Sequence, residues 1–403
     1  MLRDTVYLDH AATTPLRAEV LDVMLPHLRD GWGNPSSAHA RGRAARAALD
    51  DAHERIATCL GATAREIVLT SGGTESINLA VKGGAWAGSA RGHRLVISAV
   101  EHHAVEGSAR HLERHGFDVA VVGVDRDGRV DPDAVAAAVT DRTALVSVMA
   151  ANNEVGTVQP IAAIAERVHR HRGVLFHADA VQAAPWLPLD VEALGVDLLS
   201  IAGHKLGGPR GVGALYIRRG THIVAQQHGG SQERHRRAGT EDVAGAVGLA
   251  TALELAVREM GTAVPRVAGL RDRLVASVTG PGVTVTGHRT DRLPHIASFV
   301  VADAEGGTIT TILDLEGLAC STGSACATGS AEVSHVLTAM GYPEAEARGA
   351  VRLSVGRATT DADVDRAIAL LPPAIERARA AHAASAGPDG TATDAAPRPA
   401  ALP

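Results

Sequence analysis

The sequence predicts an α/β protein, with a large domain built on a mostly parallel sheet and a smaller α+β domain after it. Three observations carry this. From about residue 60 to 218, apolar strand-like runs alternate with helix-like segments, the pattern of a parallel sheet covered by helices on both faces. From about 242 to 279 the chain reads as one long helical connection, "DVAGAVGLATALELAVREM" and then "VPRVAGLRDRLVASV". A second, shorter set of strands and helices follows. A chain of 403 residues also exceeds what one hydrophobic core usually serves.

The elements follow in order. "RLVISAV" (94–100), "DVAVVGV" (118–124), "ALVSVMA" (144–150), "GVLFHAD" (173–179) and "VGALYIRR" (212–219) are short continuous apolar runs and read as buried strands. "TESINLAVKGGA" and "IAAIAERVHRH" lie among them and read as helices. Beyond the long helical stretch, strands are expected near 282–287, 296–301 and 350–355, with helices near 308–316, 332–340 and 361–380. The ending "AASAGPDGTATDAAPRPAALP" is rich in Ala, Pro and Gly without periodicity and is expected to be disordered. The division expected is an N-terminal segment over 1–15 joining the small domain, a large domain over 16–258, a small domain over 259–380 and a tail over 381–403.

Composition narrows the function. Hydrophobic residues make up 45% and aromatics only 2%, so the core is mostly Ala, Val, Leu and Ile. The 39 basic and 45 acidic residues are mixed along the chain, for a net charge of -6. That argues against a dedicated nucleic-acid surface and suits a soluble enzyme. No apolar run approaches the roughly 18 residues of a membrane span, and "MLRDTVYLDH" lacks a signal-peptide core. Three cysteines, Cys59, Cys320 and Cys326, make no disulfide framework, so a reducing, cytoplasmic location is expected.

In an open α/β sheet, ligands bind beyond the carboxyl ends of the strands. "LTSGGTES" (69–76) is a strand end, a Gly turn and a helix start, where free amides and the helix dipole suit a phosphate and Thr74 adds a hydroxyl. By itself it reads equally as a Gly-rich helix cap. "FHADAVQ" (176–182) puts Asp179 at a strand end, where an acid can also be a helix cap, and Gln182 three residues on. "SIAGHKLGGPRGVGAL" (200–215) puts Lys205 between a buried-looking strand and a Gly-rich turn. A loop lysine, a strand-end Asp and a phosphate cradle are together what pyridoxal 5′-phosphate requires: the amine for a Schiff base, the carboxylate to keep the pyridine nitrogen protonated. The pairs His111/His115 and His169/His171 have metal-ligand spacing, but no third ligand is placed near either, so they read as solvated helix faces and no resident metal is expected.

Ten segments in order then resemble one family: "YLDHAATTP" (7–15), "GNPSSAH" (33–39), "TSGGTES" (70–76), "EHHAV" (101–105), "NNEVGTVQPI" (152–161), "HADAVQ" (177–182), "AGHKLGGPRGVGALY" (202–216), "RRAGTED" (236–242), "STGSACATGS" (321–330) and "VRLSVGRATT" (351–360). The chain is similar to the NifS/IscS-type cysteine desulfurases, in the aminotransferase class V group of fold-type I pyridoxal-phosphate enzymes. The resemblance implies Lys205 as the Schiff-base lysine, His102 as the histidine stacked on the cofactor ring, Asp179 as the pyridinium partner and Gln182 as donor to the ring's phenolic oxygen. It implies Asn153 near that oxygen and the substrate carboxylate, and Gly73, Thr74 and His204 around the phosphate, with Gly203 and Ala202 beside them. Thr240 would reach the phosphate of the other subunit, which implies a homodimer, and Arg352 would clamp the amino-acid carboxylate, a task suited to a planar bidentate donor. The chain departs from relatives at Ala202, where some have Ser, and at Asp242, where Asn is common.

Cys326 resembles the family's nucleophile. Its thiolate must attack a sulfur in the site and then carry it outward as a persulfide, which suits a loop of small residues, and it could transiently ligate an iron–sulfur cluster. Cys320 reads as a small hydrophobe ending a strand, and Cys59 as part of a helix core face. The implied activity is removal of sulfur from L-cysteine, giving L-alanine and a persulfide for a sulfur-acceptor protein. Iron–sulfur cluster assembly, tRNA thiolation and DNA phosphorothioation all stay open as destinations, and no direct nucleic-acid or membrane partner is expected. An aminotransferase or selenocysteine lyase is the first rival, but a transaminase needs no loop cysteine. An inactive sulfur-relay protein is the second, and intact Lys205, Asp179 and Cys326 argue against it.

Overall fold

The computed structural model describes residues 5–323 and 333–386. The chain opens with a short strand, β1 (Val6–Tyr7), and two helices, α1 (Ala18–Arg29) and α2 (Ala40–Leu60). Seven strands then build one sheet: β2 (Ile67–Thr70), β3 (Arg94–Ser98), β4 (Asp118–Val122), β5 (Thr143–Ser147), β6 (Leu175–Asp179), β7 (Leu198–Ala202) and β8 (Gly213–Ile217). Their order is β2-β8-β7-β6-β5-β3-β4. β8 runs antiparallel to both neighbours, and every other neighbouring pair is parallel. The connections carry α3 (Gly73–Ala87), α4 (His103–Glu113), α5 (Pro132–Ala138), α6 (Ile161–Val168) and α7 (Val191–Leu194).

The interior strands are covered on both faces. Every residue of β5, β7 and β8 is buried, which is why these segments read as unbroken apolar runs rather than alternating ones. β4, at the edge, keeps Asp118 and Val121 exposed. One polar cross-tie runs through the middle. His177 of β6 is buried between Ser147 Oγ of β5 (2.8 Å) and Ser200 Oγ of β7 (2.9 Å). Burial pulls its pKa down to about 3, so the ring is neutral, one nitrogen donating and the other accepting. At the start of β8, a Cβ on Gly213 would come within 2.8 Å of Gly72, and Gly72 itself has φ 146°. Glycine at both positions lets the start of α3 close down on the end of the sheet.

After the sheet comes α8 (Val243–Val278), a helix of 36 residues and thus about 54 Å long. Asp242 caps it, accepting from Gly245 N at 2.9 Å, which gives this departure from the family pattern a local role. α8 packs on α1 and α2 and also on the elements that follow. It runs without interruption through 258–259, where the sequence reading places a boundary. Next come β9 (Val283–Val285), β10 (Ile296–Val301), α9 (Gly306–Leu315), β11 (Leu318–Ala319), α10 (His335–Ala339), α11 (Glu344–Ala347), β12 (Ala350–Ser354) and α12 (Asp361–Ala386). β12, β10 and β9 form an antiparallel sheet in that order. β1 pairs in parallel with β11, Val6 opposite Leu318, so the N-terminal segment is stitched to this second unit.

One expectation is corrected. The tail was expected to begin at 381, but α12 continues through Ala386, because "AHAASA" is rich in alanine, the best helix former. Residues 387–403 lie outside the described residues. Cys59 and Cys320 are free thiols packed against the core, and burial pushes them up to about 11 and about 12. Among the described residues no helix is long and apolar enough to cross a membrane.

Candidate active site

Strands β3, β5, β6 and β7 end around a cavity of about 350 Å³. The chain leaves β3 for His102 and β5 for Asn153, ends β6 at Asp179 and leaves β7 for His204 and Lys205, and all five residues line the cavity. The chain proceeds from β3 to β4 on one side and to β5, β6 and β7 on the other, a switch point at which an open α/β sheet leaves a crevice. Gly73 and Thr74, at the start of the 15-residue α3, also line it. The first amides of a helix lack intrahelical acceptors and sit at the positive end of its dipole, so this wall suits an anion.

Lys205 is held by backbone. Its Nζ donates to the carbonyls of Ala11 and Ala12, the latter at 2.7 Å. Gln182 Nε2 donates to the Ala11 carbonyl as well, at 2.7 Å. Residues 11 and 12 fall within "YLDHAATTP", but sequence reasoning gave them no role, because a backbone carbonyl carries no side-chain signal. His102 caps α4, its Nδ1 accepting from Ala104 N at 3.1 Å, which leaves the proton of the neutral ring on Nε2. Burial, and then the Lys205 charge, pull His102 down to about 4. Burial takes His204 to about 4 also, and its Nδ1 meets Thr13 Oγ1 at 3.2 Å.

Asp179 is 4% exposed, with Oδ1 accepting from Val181 N at 3.0 Å. Burial pushes its carboxyl up to about 6. A carboxylate so placed is costly unless a cation joins it. Across the cavity lining, Arg352 of β12 is 2% exposed. Its Nη2 pairs with Asp9 at 2.9 Å and its Nη1 donates to the Asn153 carbonyl at 2.9 Å. Its buried Nε has no partner among the described residues, a donor available to a carboxylate. The backbone of Arg352 exchanges hydrogen bonds with Ser321, at 2.7 and 3.1 Å, so the strand that carries the arginine also holds the residue from which the chain runs on to Cys326. Cys326 itself lies outside the described residues.

The structure thus brings together Gly73, Thr74, His102, Asn153, Asp179, Gln182, His204, Lys205 and Arg352. Ala202 and Gly203 are buried at the end of β7 but do not line the cavity, and Thr240 is exposed away from the lining. Asp9 was missed by sequence reasoning, since nothing local marks its pairing with Arg352. The cavity offers an anion site, a buried carboxylate, a primary amine and a guanidinium. That set fits a phosphorylated aromatic carbonyl compound with a protonatable ring nitrogen, together with an amino-acid carboxylate.

Residues 6–367 match the model of the aminotransferase class-V family. The chain belongs to that family. This class-V protein is 47% identical over 380 residues to a cysteine desulfurase IscS of Dictyoglomus turgidum, spanning 94% of this chain and 96% of the relative. It is 48% identical over 390 residues to an IscS-like cysteine desulfurase of Mycobacterium tuberculosis, spanning 94% and 99%. Among solved structures, a NifS-like protein superposes with a TM-score of 0.87 at 37% identity, covering 93% of this chain and 99% of that one. The class-V chain therefore has the fold-type I architecture expected from its sequence.

Proposed function

We propose that this class-V protein is a cysteine desulfurase that holds pyridoxal 5′-phosphate, removes sulfur from L-cysteine, releases L-alanine and passes the sulfur from Cys326 to an acceptor protein. The observation that carries the reading is the meeting of Lys205, Asp179, Arg352 and the start of α3 in one cavity. Gly73, Thr74 and His204 would hold the phosphate, with Ala202 and Gly203 behind them and Thr240 supplied by a second copy in a homodimer. Asp179 would hold the ring nitrogen, Gln182 and Asn153 the phenolic oxygen, His102 the ring face and Lys205 the aldehyde. Bound there, the cofactor supplies an electron sink for the pair released at the substrate Cα.

The protein's own groups do the rest. Arg352 grips the substrate carboxylate, Nε contributing the donor that has no partner among the described residues and Asp9 yielding part of its hold on Nη2. The Lys205 amine, leaving the carbonyls of Ala11 and Ala12, takes the Cα proton. The Cys326 thiolate attacks the substrate sulfur. A sulfur–sulfur bond forms, the carbon–sulfur bond breaks, and its electron pair stays with the three-carbon fragment, which is protonated to L-alanine. His102, neutral at pH 7, moves a proton in this step. The acceptor takes the terminal sulfur and leaves the Cys326 thiolate free. Free thiols suit a reducing, cytoplasmic setting.

The test compares Cys326→Ser with Cys320→Ser, following alanine and sulfide from L-cysteine with a thiol reductant, and added sulfur by intact-protein mass spectrometry. Cys326→Ser should lose both, because a serine hydroxyl is un-ionised at neutral pH whereas a thiol is already a few per cent thiolate. Cys320→Ser should keep turnover, since that thiol packs on the core. Alanine at the wild-type rate from Cys326→Ser would refute the assignment. Full activity in both variants would favour a lyase that releases sulfur directly.

A further inference from the structure

Outside the cavity, α4 and α10 bring a second cluster together. His103 and Glu106 lie one turn apart at the start of α4, and His335 opens α10. One ligand-capable atom of each lies within 4.8 Å of the other two. His103 Nδ1 is 2.9 Å from one oxygen of the Glu106 carboxylate, and His335 Nε2 is 3.7 Å from the other. The two imidazole rings are 4.9 Å apart between centroids. We propose that His103, Glu106 and His335 form a binding site for a divalent transition cation of the zinc class, with water completing its coordination.

Zinc takes imidazole nitrogen and carboxylate oxygen at about 2.0–2.2 Å, so tetrahedral ligand atoms stand about 3.3 Å apart. Two imidazoles and one carboxylate suit zinc and its transition-metal neighbours, whereas calcium and magnesium favour all-oxygen sets. His103 is exposed and Glu106 and His335 are partly buried, so an ion can enter and keep water in its open positions. His335 Nε2 also donates to the Glu101 carbonyl at 3.0 Å, so that nitrogen gives up this bond, its proton moving to Nδ1, when it takes the ion. Arg110 reaches the Glu106 carboxylate only at 3.9 Å from a largely exposed side chain, a weak competitor.

The histidine pairs that sequence spacing singles out lack this completeness. His115 Nδ1 is bonded to the His111 carbonyl at 2.8 Å, and among the described residues neither belongs to a three-ligand cluster. His169 is engaged by Asp197 at 3.0 Å, so it is a tethered rather than a simply solvated side chain. The proposed site joins residues far apart in sequence, which no local spacing reveals. An ion there ties the first turn of α10 to the helix that His102 caps.

The experiment uses the holoenzyme, cleared of metal with a chelator and titrated with zinc alone, with cobalt(II) as a spectroscopic stand-in. Wild type should bind one ion per chain and gain thermal stability from it. His335→Ala and Glu106→Gln should each weaken that binding about tenfold or more and lose the stabilisation, with unchanged circular dichroism. A His111→Ala/His115→Ala double variant should bind as wild type does. The proposal is overturned if wild type binds no ion. It is overturned equally if both single variants bind as tightly as wild type, or if the ion is lost only with Cys326→Ser or with the double variant.

Discussion

Asp179 shows how one buried residue makes a site. Unfolded, its carboxyl ionises near 3.8, while in the fold burial raises it to about 6. The folded chain without a cation therefore holds that proton more tightly. Its stability falls as pH rises from about 4 to about 6, and the full penalty applies above that. The pyridinium proposed to pair with it would cancel the penalty, so cofactor affinity should climb with pH and level off above about 6. We expect the apparent Kd for pyridoxal 5′-phosphate, measured by equilibrium dialysis, to rise about tenfold per pH unit below 6. Asp179→Asn should bind more weakly and show no such slope, and an unchanged slope in the variant would refute the role. The position of Asp179 was legible in the sequence because a strand end followed by a polar turn is a local pattern. Its raised pKa was not, because burial depends on what covers the strand.

At the scale of elements, α2, β2 and the turn before α8 are fastened by His53 and Glu233. His53 Nδ1 meets the Leu49 carbonyl at 2.8 Å and Nε2 meets Glu233 Oε2 at 3.0 Å. Both partners are acceptors, so both ring nitrogens donate and the ring is an imidazolium. Burial pulls the His53 pKa down, but the Glu233 carboxylate outweighs it and the net shift is upward. The same Glu233 oxygen accepts from Leu69 N at 3.0 Å, which anchors a turn whose residues 233–235 all have positive φ, a conformation that needs such support. His53→Ala leaves a buried carboxylate without its cation and should cost about 3–5 kcal/mol in urea denaturation. Because the folded pKa is raised, this contribution is complete below about 6.5 and fades as pH rises through the folded value. The gap between wild type and His53→Ala should therefore narrow in alkali, and a gap that is the same at every pH would count against the ion pair.

For the whole molecule, the exposed Thr240, away from the cavity of its own chain, makes the proposed homodimer testable. Mixing Lys205→Ala subunits with Thr240→Ala subunits gives hybrids in which one half-site combines an intact Lys205 with an intact Thr240. At limiting cofactor these hybrids should exceed both parents in alanine production. Hybrids no better than the parents would mean that Thr240 is not shared between subunits. The molecule is also joined along its length, since α8 touches elements of both units and β1 pairs with β11.

Along the chain, short-range pattern encodes local structure. Strands covered on both faces must be continuously apolar, so β3, β5, β6 and β8 were visible as runs. Strand-end chemistry exposed Asp179 and Lys205, and a chain of motifs exposed the family. Helix length at the C-terminus was misjudged because alanine supports a helix without an apolar period to mark it. Folding in three dimensions sets which groups meet across the chain: Arg352 with Asp9, Lys205 with the carbonyls of residues 11 and 12, His53 with Glu233, and His335 with Glu106. Each of these contacts joins segments far apart in sequence, and their partners are chosen by how the sheets and helices pack rather than by any periodicity along the chain.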